Sequence, residues 1–198
     1  MATTRPFSAV PDPASGRRGF LLSGLAAVSA WALHRTPVAG ALHVLKPAGD
    51  VTVERFSAAG KSEGVVRLPM VVKTEAEWKK QLSPGSFYVT RQDGTERAFS
   101  GKYADHHADG LYRCICCDTA LFDSTTKYDS GTGWPSFWQP ISAMNVTKTP
   151  VSSYGARYYE VSCTLCDAHL GHVFDDGPRP TGLRYCMNSV ALRFVARA

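Results

Sequence analysis

Nowhere in these 198 residues is an apolar run long enough to make a comfortable membrane span; the longest, Phe20 to Leu33, is interrupted by Ser23, Gly24 and Ser29. Internal repeats are missing apart from two C-x-x-C units, and low-complexity tracts are missing beyond the N-terminal segment, which excludes solenoids and disordered arrays. A surplus of one charge sign is also scarce. The formal charge is +5, but the first 41 residues hold Arg5, Arg17, Arg18 and Arg35 against Asp12. Taking those from the totals of 22 basic and 17 acidic residues leaves +2 for the remainder. That balance predicts no nucleic-acid partner. What is present is a composition of 44% apolar and 20% charged residues, that of a globular chain long enough for one domain with a core.

The basic excess belongs to the N-terminus. Arg17 and Arg18 precede the apolar run, and Ala39 to Ala41 offer small residues for cleavage. This order predicts an export signal over residues 1–41, with "RRGFLL" resembling the twin-arginine type. It implies a periplasmic destination in a bacterium and no stable membrane association once the segment is removed. The alternative is a buried helix with a basic flank.

Farther on, "VTVERF" and "VVRLPMVVK" read as strands around a turn-like "SAAGKSEG". In "TEAEWKKQL", Thr74 and Glu77 form a capping box, the acidic residues come first and the lysines last, and Pro84-Gly85 read as a stop. From Phe99 onward, short aromatic and β-branched runs alternate with Gly, Pro, Asp and Ser; "ARYYEVSC" (156–163) and "SVALRFV" (189–195) are strand candidates. The fold class expected is mainly β with a short N-terminal helical part.

Five of the six cysteines fall in two groups. Cys114-x-x-Cys117 and Cys163-x-x-Cys166 flank residues 118–162, and each C-x-x-C turn delivers two thiolates from one bend. Together they would close a tetrahedral Zn²⁺ shell with no open position, hence a structural site. Two disulfides are the alternative that export would permit. Cys116 is the spare, read as a small buried thiol or an alternative ligand. The long segment between the knuckles should carry strands and function of its own.

Cys186 stands apart, in "LRYCMNS". On a strand, Arg184, Cys186 and Asn188 share a face, and a thiol beside a guanidinium is a candidate nucleophile, since positive charge favours the thiolate. His169 and His172 follow the second knuckle and could supply protons or bind a second metal. In "SGTGWPSF" (130–137), Trp134-Pro135 with Phe137 and Trp138 reads either as a core turn or as an apolar wall for a methyl or thioether group.

Taken together, "YRCICCDTALFDSTTKYDSGTGWPSF" and "CTLCDAHLGHVFDDGPRPTGLRYCMNSVALRF" closely resemble the B-type peptide-methionine (R)-S-oxide reductases, from about Lys73 to Phe194. The resemblance implies antiparallel β-sheets, one structural zinc on Cys114, Cys117, Cys163 and Cys166, and Cys186 as the nucleophile. It places His169, His172, Arg184 and Asn188 around the reaction, with Trp134 and Phe174 on the substrate. Methionine-sulfoxide-containing proteins or peptides would be substrates, a thioredoxin-like or other thiol the reductant, and the enzyme a monomer. Residues 74–196 would be the catalytic domain and 42–73 an N-terminal extension of the mature chain.

The chemistry fits the residue types: thiolate attack at the sulfoxide sulfur with imidazole protonating the oxygen leaves methionine and a cysteine sulfenic acid. Many family members carry a resolving cysteine as "SGCGWPSF" where this chain has Thr132, so an external thiol is expected to reduce the sulfenic acid, with Cys116 the other possible resolver. Two further readings compete: a zinc-ribbon-like binding module, and a metallohydrolase using His169 and His172.

Overall fold

The computed structural model describes residues 49–151 and 158–197. The expected export signal lies outside them. Among the described residues, no helix is long and apolar enough to cross a membrane.

The N-terminal strands form an antiparallel hairpin, β1 (Asp50–Phe56) with β2 (Ser62–Pro69). β2 begins inside the segment expected to turn and stops before Met70, whose N–H returns to the Gly49 carbonyl. The side chain of Asn145 binds the hairpin through both main-chain groups of Glu54, each at 2.8 Å, and Val71 N–H meets the Leu165 carbonyl at 2.9 Å. Residues 50–71 are therefore attached to the main body by partly buried polar bonds.

Helix α1 (Glu75–Gln81) starts where the capping box predicts: Thr74 accepts from Glu77 N–H, and the Glu77 carboxylate takes the Thr74 N–H at 2.7 Å. Pro84-Gly85 does end α1, but it also opens a second helix, α2 (Pro84–Arg91), which the sequence reading did not anticipate. Ser83 caps α2, and Pro84 occupies its first turn, where a missing N–H costs nothing.

The remainder is antiparallel β. One sheet has the order β11 (Leu192–Ala196), β3 (Gly110–Cys114), β4 (Ala120–Asp123). The larger runs β5 (Lys127–Tyr128), β6 (Ser136–Phe137), β10 (Arg184–Met187), β9 (His169–Phe174), β8 (Tyr159–Cys163), β7 (Val146–Pro150). Four of these strands come from the segment between the knuckles, β8 running on into Cys163. The run read as one strand through "SVALRFV" is broken. Ser189–Ala191 form a 3₁₀ turn, and β11 starts only at Leu192.

The core lies between aromatic and aliphatic side chains with almost no exposure, among them Tyr112, Phe122, Phe137, Leu170 and Met187. Phe122 and Phe137 stack at 4.4 Å. Phe137 therefore belongs to the core and not to any surface wall.

Strand β10 is interior, between β6 and β9, with Cys186 opposite Ser136 on one side and His172 on the other. Its alternation sends Tyr185 and Met187 into the core and leaves Arg184 and Cys186 half-buried on the other face. A central strand clamped by two neighbours gives Cys186 a rigid seat.

Candidate functional site

The four knuckle sulfurs converge. Cys114 Sγ lies 3.6 Å from Cys166 Sγ and Cys117 Sγ 3.5 Å from Cys163 Sγ, and all four lie within 4.8 Å of one another. A tetrahedral Zn²⁺ with bonds near 2.3 Å needs sulfurs about 3.8 Å apart. The observed spacing fits such a cage and is far longer than the ~2.05 Å of an S–S bond. The four cysteines could hold a metal ion.

Each knuckle is a tight turn with a left-handed residue after it, Asp118 and Asp167. Arg91, from α2, donates to the Cys166 carbonyl at 2.9 Å, approaches Cys166 Sγ at 3.6 Å and lies over the Trp78 ring at 4.3 Å. Cys116 is buried beside Thr90, its sulfur 3.5 Å from the hydroxyl.

Cys186 opens into a cavity of about 200 Å³ lined by Thr95, Trp134, Gly171, His172, Phe174 and Asn188. Of the residues singled out from sequence, Trp134, His172, Phe174 and Asn188 thus share a cavity with Cys186. Cys116 does not line the cavity, and neither do Phe137 and Trp138. Arg184 flanks the thiol, stacks on Phe174 at 4.4 Å and is gripped by both oxygens of Asp176 at 2.8 and 2.7 Å.

That grip bears on the thiol's acidity. Burial pushes the Cys186 pKa up; Thr132, Arg184 and Ser136 pull the other way but do not overcome it. The guanidinium's pull is partly spent on Asp176, whose own pKa it lowers. The resting group is thus more thiol-like than its arginine neighbour suggests.

Thr132 sits over the sulfur, with its hydroxyl 3.8 Å away and joined to Ser130 at 2.8 Å, which in turn meets Ser136 at 2.7 Å.

The histidines are brought together by an irregularity. Three residues apart on a regular strand, their side chains would face opposite ways. Between Ser162↔His169 and Val161↔Gly171, β9 advances two residues while β8 advances one, a bulge that resets the alternation. The rings lie 5.3 Å apart.

His169 is buried behind His172, its Nδ1 2.9 Å from Glu160. Its Nε2 is buried and has no hydrogen-bond partner among the described residues. His172 has its pKa lowered by burial and by His169, with Glu160 opposing. Among the described residues, the grouping of potential ligands that contains His169 joins it to Asp93 and Glu160, without His172.

Glu96 was missed by sequence reasoning. Its carbonyl accepts the Trp134 indole N–H at 3.1 Å, and its own N–H donates to Asn188 Oδ1 at 2.9 Å. The acidic residue in "DGTERAF" carries no local motif, and its partners lie 38 and 92 residues away.

Fold and site together define a class: an antiparallel β-protein with a four-thiolate knuckle site and a solitary thiol seated on an interior strand beside an aromatic cleft. A SelR-domain family model matches residues 82–196. The chain is 59% identical over 123 residues to peptide methionine sulfoxide reductase B1, chloroplastic, of Arabidopsis thaliana, covering 62% of this chain and 61% of that one. It is 57% identical over 120 residues to the rice protein of the same name, covering 61% and 56%, so it spans less than two thirds of either plant relative. It is 58% identical over 126 residues to peptide methionine sulfoxide reductase MsrB of Pseudomonas syringae pv. syringae, covering 64% of this chain and 96% of that one. The chain belongs to the SelR-domain family, that of the B-type peptide methionine sulfoxide reductases.

Proposed function

We propose that this protein is an oxidoreductase that returns methionine R-sulfoxide in proteins or peptides to methionine. The observation that carries the reading is the seat of Cys186, whose sulfur opens into a cleft walled by Trp134, Phe174 and His172. The aromatic wall suits a methyl thioether.

In the proposed reaction the Cys186 sulfur attacks the sulfoxide sulfur as its S–O bond breaks. The substrate sulfur gains two electrons, Cys186 loses two, and the oxygen ends on Cys186 as a sulfenic acid. His172, at the cleft and across from Cys186 in the strand register, would pass the thiol's proton to the departing oxygen, with His169 behind it. Arg184 offsets part of the burial cost of the thiolate, and Asn188 fixes the cleft floor. With Thr132 above the sulfur and no second thiol lining the cleft, an external thiol completes the cycle, releasing water and a disulfide.

The four knuckle cysteines would hold zinc, on the fit of their spacing, and its task there is to fix the two turns. We further read residues 1–41 as a targeting segment, on the arginine pair and the apolar run, and specifically as a twin-arginine export signal leading to the periplasm. Residues 74–196 are taken as the catalytic domain, acting as a monomer.

The test is turnover of separated R and S sulfoxide epimers with a dithiol donor, in the unchanged protein and in Cys186→Ser. Reduction of the R form alone, abolished by the substitution, is the expected result. Equal activity in Cys186→Ser, or inertness toward both epimers, would overturn the reading.

A further inference from the structure

The cleft's two polar anchor points come from elements far apart in sequence. Trp134 lies in the glycine turn before β6, and Asn188 follows β10. Both are held by the main chain of one residue, Glu96, in the loop after α2 whose Thr95 also lines the cleft.

What fixes Glu96 itself is its side chain. One carboxylate oxygen accepts the Ser189 N–H at 2.7 Å and the other the Val190 N–H at 3.1 Å. These are the donors at the start of the 3₁₀ turn Ser189–Ala191 that have no partner within the turn itself. The residue at the capping position of that turn is Asn188, and its side chain makes no capping bond. Its amide is committed elsewhere, Oδ1 to the Glu96 N–H and Nδ2 to the Leu170 carbonyl at 3.1 Å. A distant carboxylate has taken over the cap, a favourable place for an anion, and this frees the asparagine to face the cleft.

The space around the carboxylate is closed. A Cβ at Gly101 would collide with Glu96 Oε1 and with the Ser189 hydroxyl, which accepts the Tyr103 N–H at 3.2 Å. Glycine at 101 is what lets the loop lie this close.

From this arrangement we infer that Glu96 is a positioning residue for the cleft: its carboxylate, capping the turn after Cys186, sets the height of the loop main chain that holds Trp134 and Asn188 in register with the thiol. The inference rests on the proposed reductase reading for its kinetic consequence, but not for its structural one.

Two substitutions approach it from different sides. Glu96→Ala removes the carboxylate, and Gly101→Ala displaces it while leaving its chemistry intact. Glu96→Gln keeps one acceptor and serves as the conservative partial rescue. The first readout is hydrogen exchange of the Trp134 indole N–H by NMR, its resonance assigned by loss in Trp134→Phe. The second is methionine released in a single turnover without reductant, and its dependence on the concentration of a sulfoxide peptide.

We expect indole exchange about tenfold faster in Glu96→Ala and in Gly101→Ala. Single-turnover rate should fall by about ten- to a hundredfold, the scale of misplaced catalytic geometry, and Glu96→Gln should lie between. Circular dichroism and melting confirm that each variant is folded at the assay temperature. Unchanged indole exchange in folded Glu96→Ala, or unchanged single-turnover rate and concentration dependence, would overturn the inference. Should the unchanged protein release no methionine, the reductase reading falls and the indole exchange still decides the role of Glu96.

Discussion

Replacing Thr132 by cysteine puts a second sulfur where a hydroxyl now sits 3.8 Å from Cys186 Sγ. Bond formation requires the two sulfurs to close by about 1.8 Å to reach ~2.05 Å. The turn can supply this, because Gly131 (φ 69°) and Gly133 (φ 86°) flank the residue and both are in the region that glycine occupies without a steric penalty. The residues joined are 54 apart, for which the chain-entropy model gives about 4 kcal/mol of stabilisation. That corresponds to a rise in melting temperature of roughly 10 °C, as a ceiling that native strain reduces.

The assay is one turnover with a sulfoxide peptide and no reductant. In the unchanged protein one thiol is lost per chain and Cys186 reacts with dimedone, as a sulfenic acid does. In Thr132→Cys two thiols are lost, dimedone labelling disappears, mass spectrometry finds residues 132 and 186 cross-linked, and the oxidised form melts higher than the reduced. If Cys186 in the variant still labels with dimedone and no cross-link forms, the geometry around Thr132 is not as argued; if Cys186 of the unchanged protein does not label after turnover, the sulfenic acid route is refuted.

Arg91→Met removes the cation that contacts Cys166 from outside the thiolate cage. Metal release to a colorimetric chelator should become about ten- to a hundredfold easier, the usual weight of an outer-sphere partner; release at the unchanged rate would count against that role. The pH dependence of Cys186 follows from its raised pKa. Below that pKa the group is a neutral thiol and unreactive, so alkylation by iodoacetamide should climb with pH and reach its midpoint above the usual thiol range. Arg184→Met removes one of the pulls that oppose burial and should move the midpoint higher still; a midpoint at or below that of a free cysteine would contradict the burial argument.

Local chemistry is what the sequence made legible. The capping box of Thr74 and Glu77 acts over three residues, and each C-x-x-C turn over three, so both could be read without knowing the fold. The strand alternation around Cys186 was equally local and correctly placed Arg184 and Cys186 on one face. Where two local signals conflicted, reading failed: Pro84-Gly85 is a stop signal for the helix before it and a start signal for the helix after it, with Ser83 deciding. The pull of Arg184 on the Cys186 thiol was legible because a neighbouring arginine is visible in sequence, whereas the burial that outweighs it and the grip of Asp176 are not. Glu96 was invisible for a related reason. Its carboxylate bonds to main-chain donors 93 and 94 residues away, and backbone donors leave no mark on side-chain identity.

The extra residue that β9 carries opposite β8 works like an inserted letter in a reading frame. Before it, odd-numbered positions such as His169 face one way; after it, even-numbered ones such as His172 take their place, and Phe174 follows suit. Losing a single residue there would be a structural frameshift, reassigning inside and outside for the rest of the strand while leaving every amino acid in it unchanged. Deleting a residue at the middle of this strand is therefore disruptive whatever residue is chosen, because the change is one of register and not of side chain.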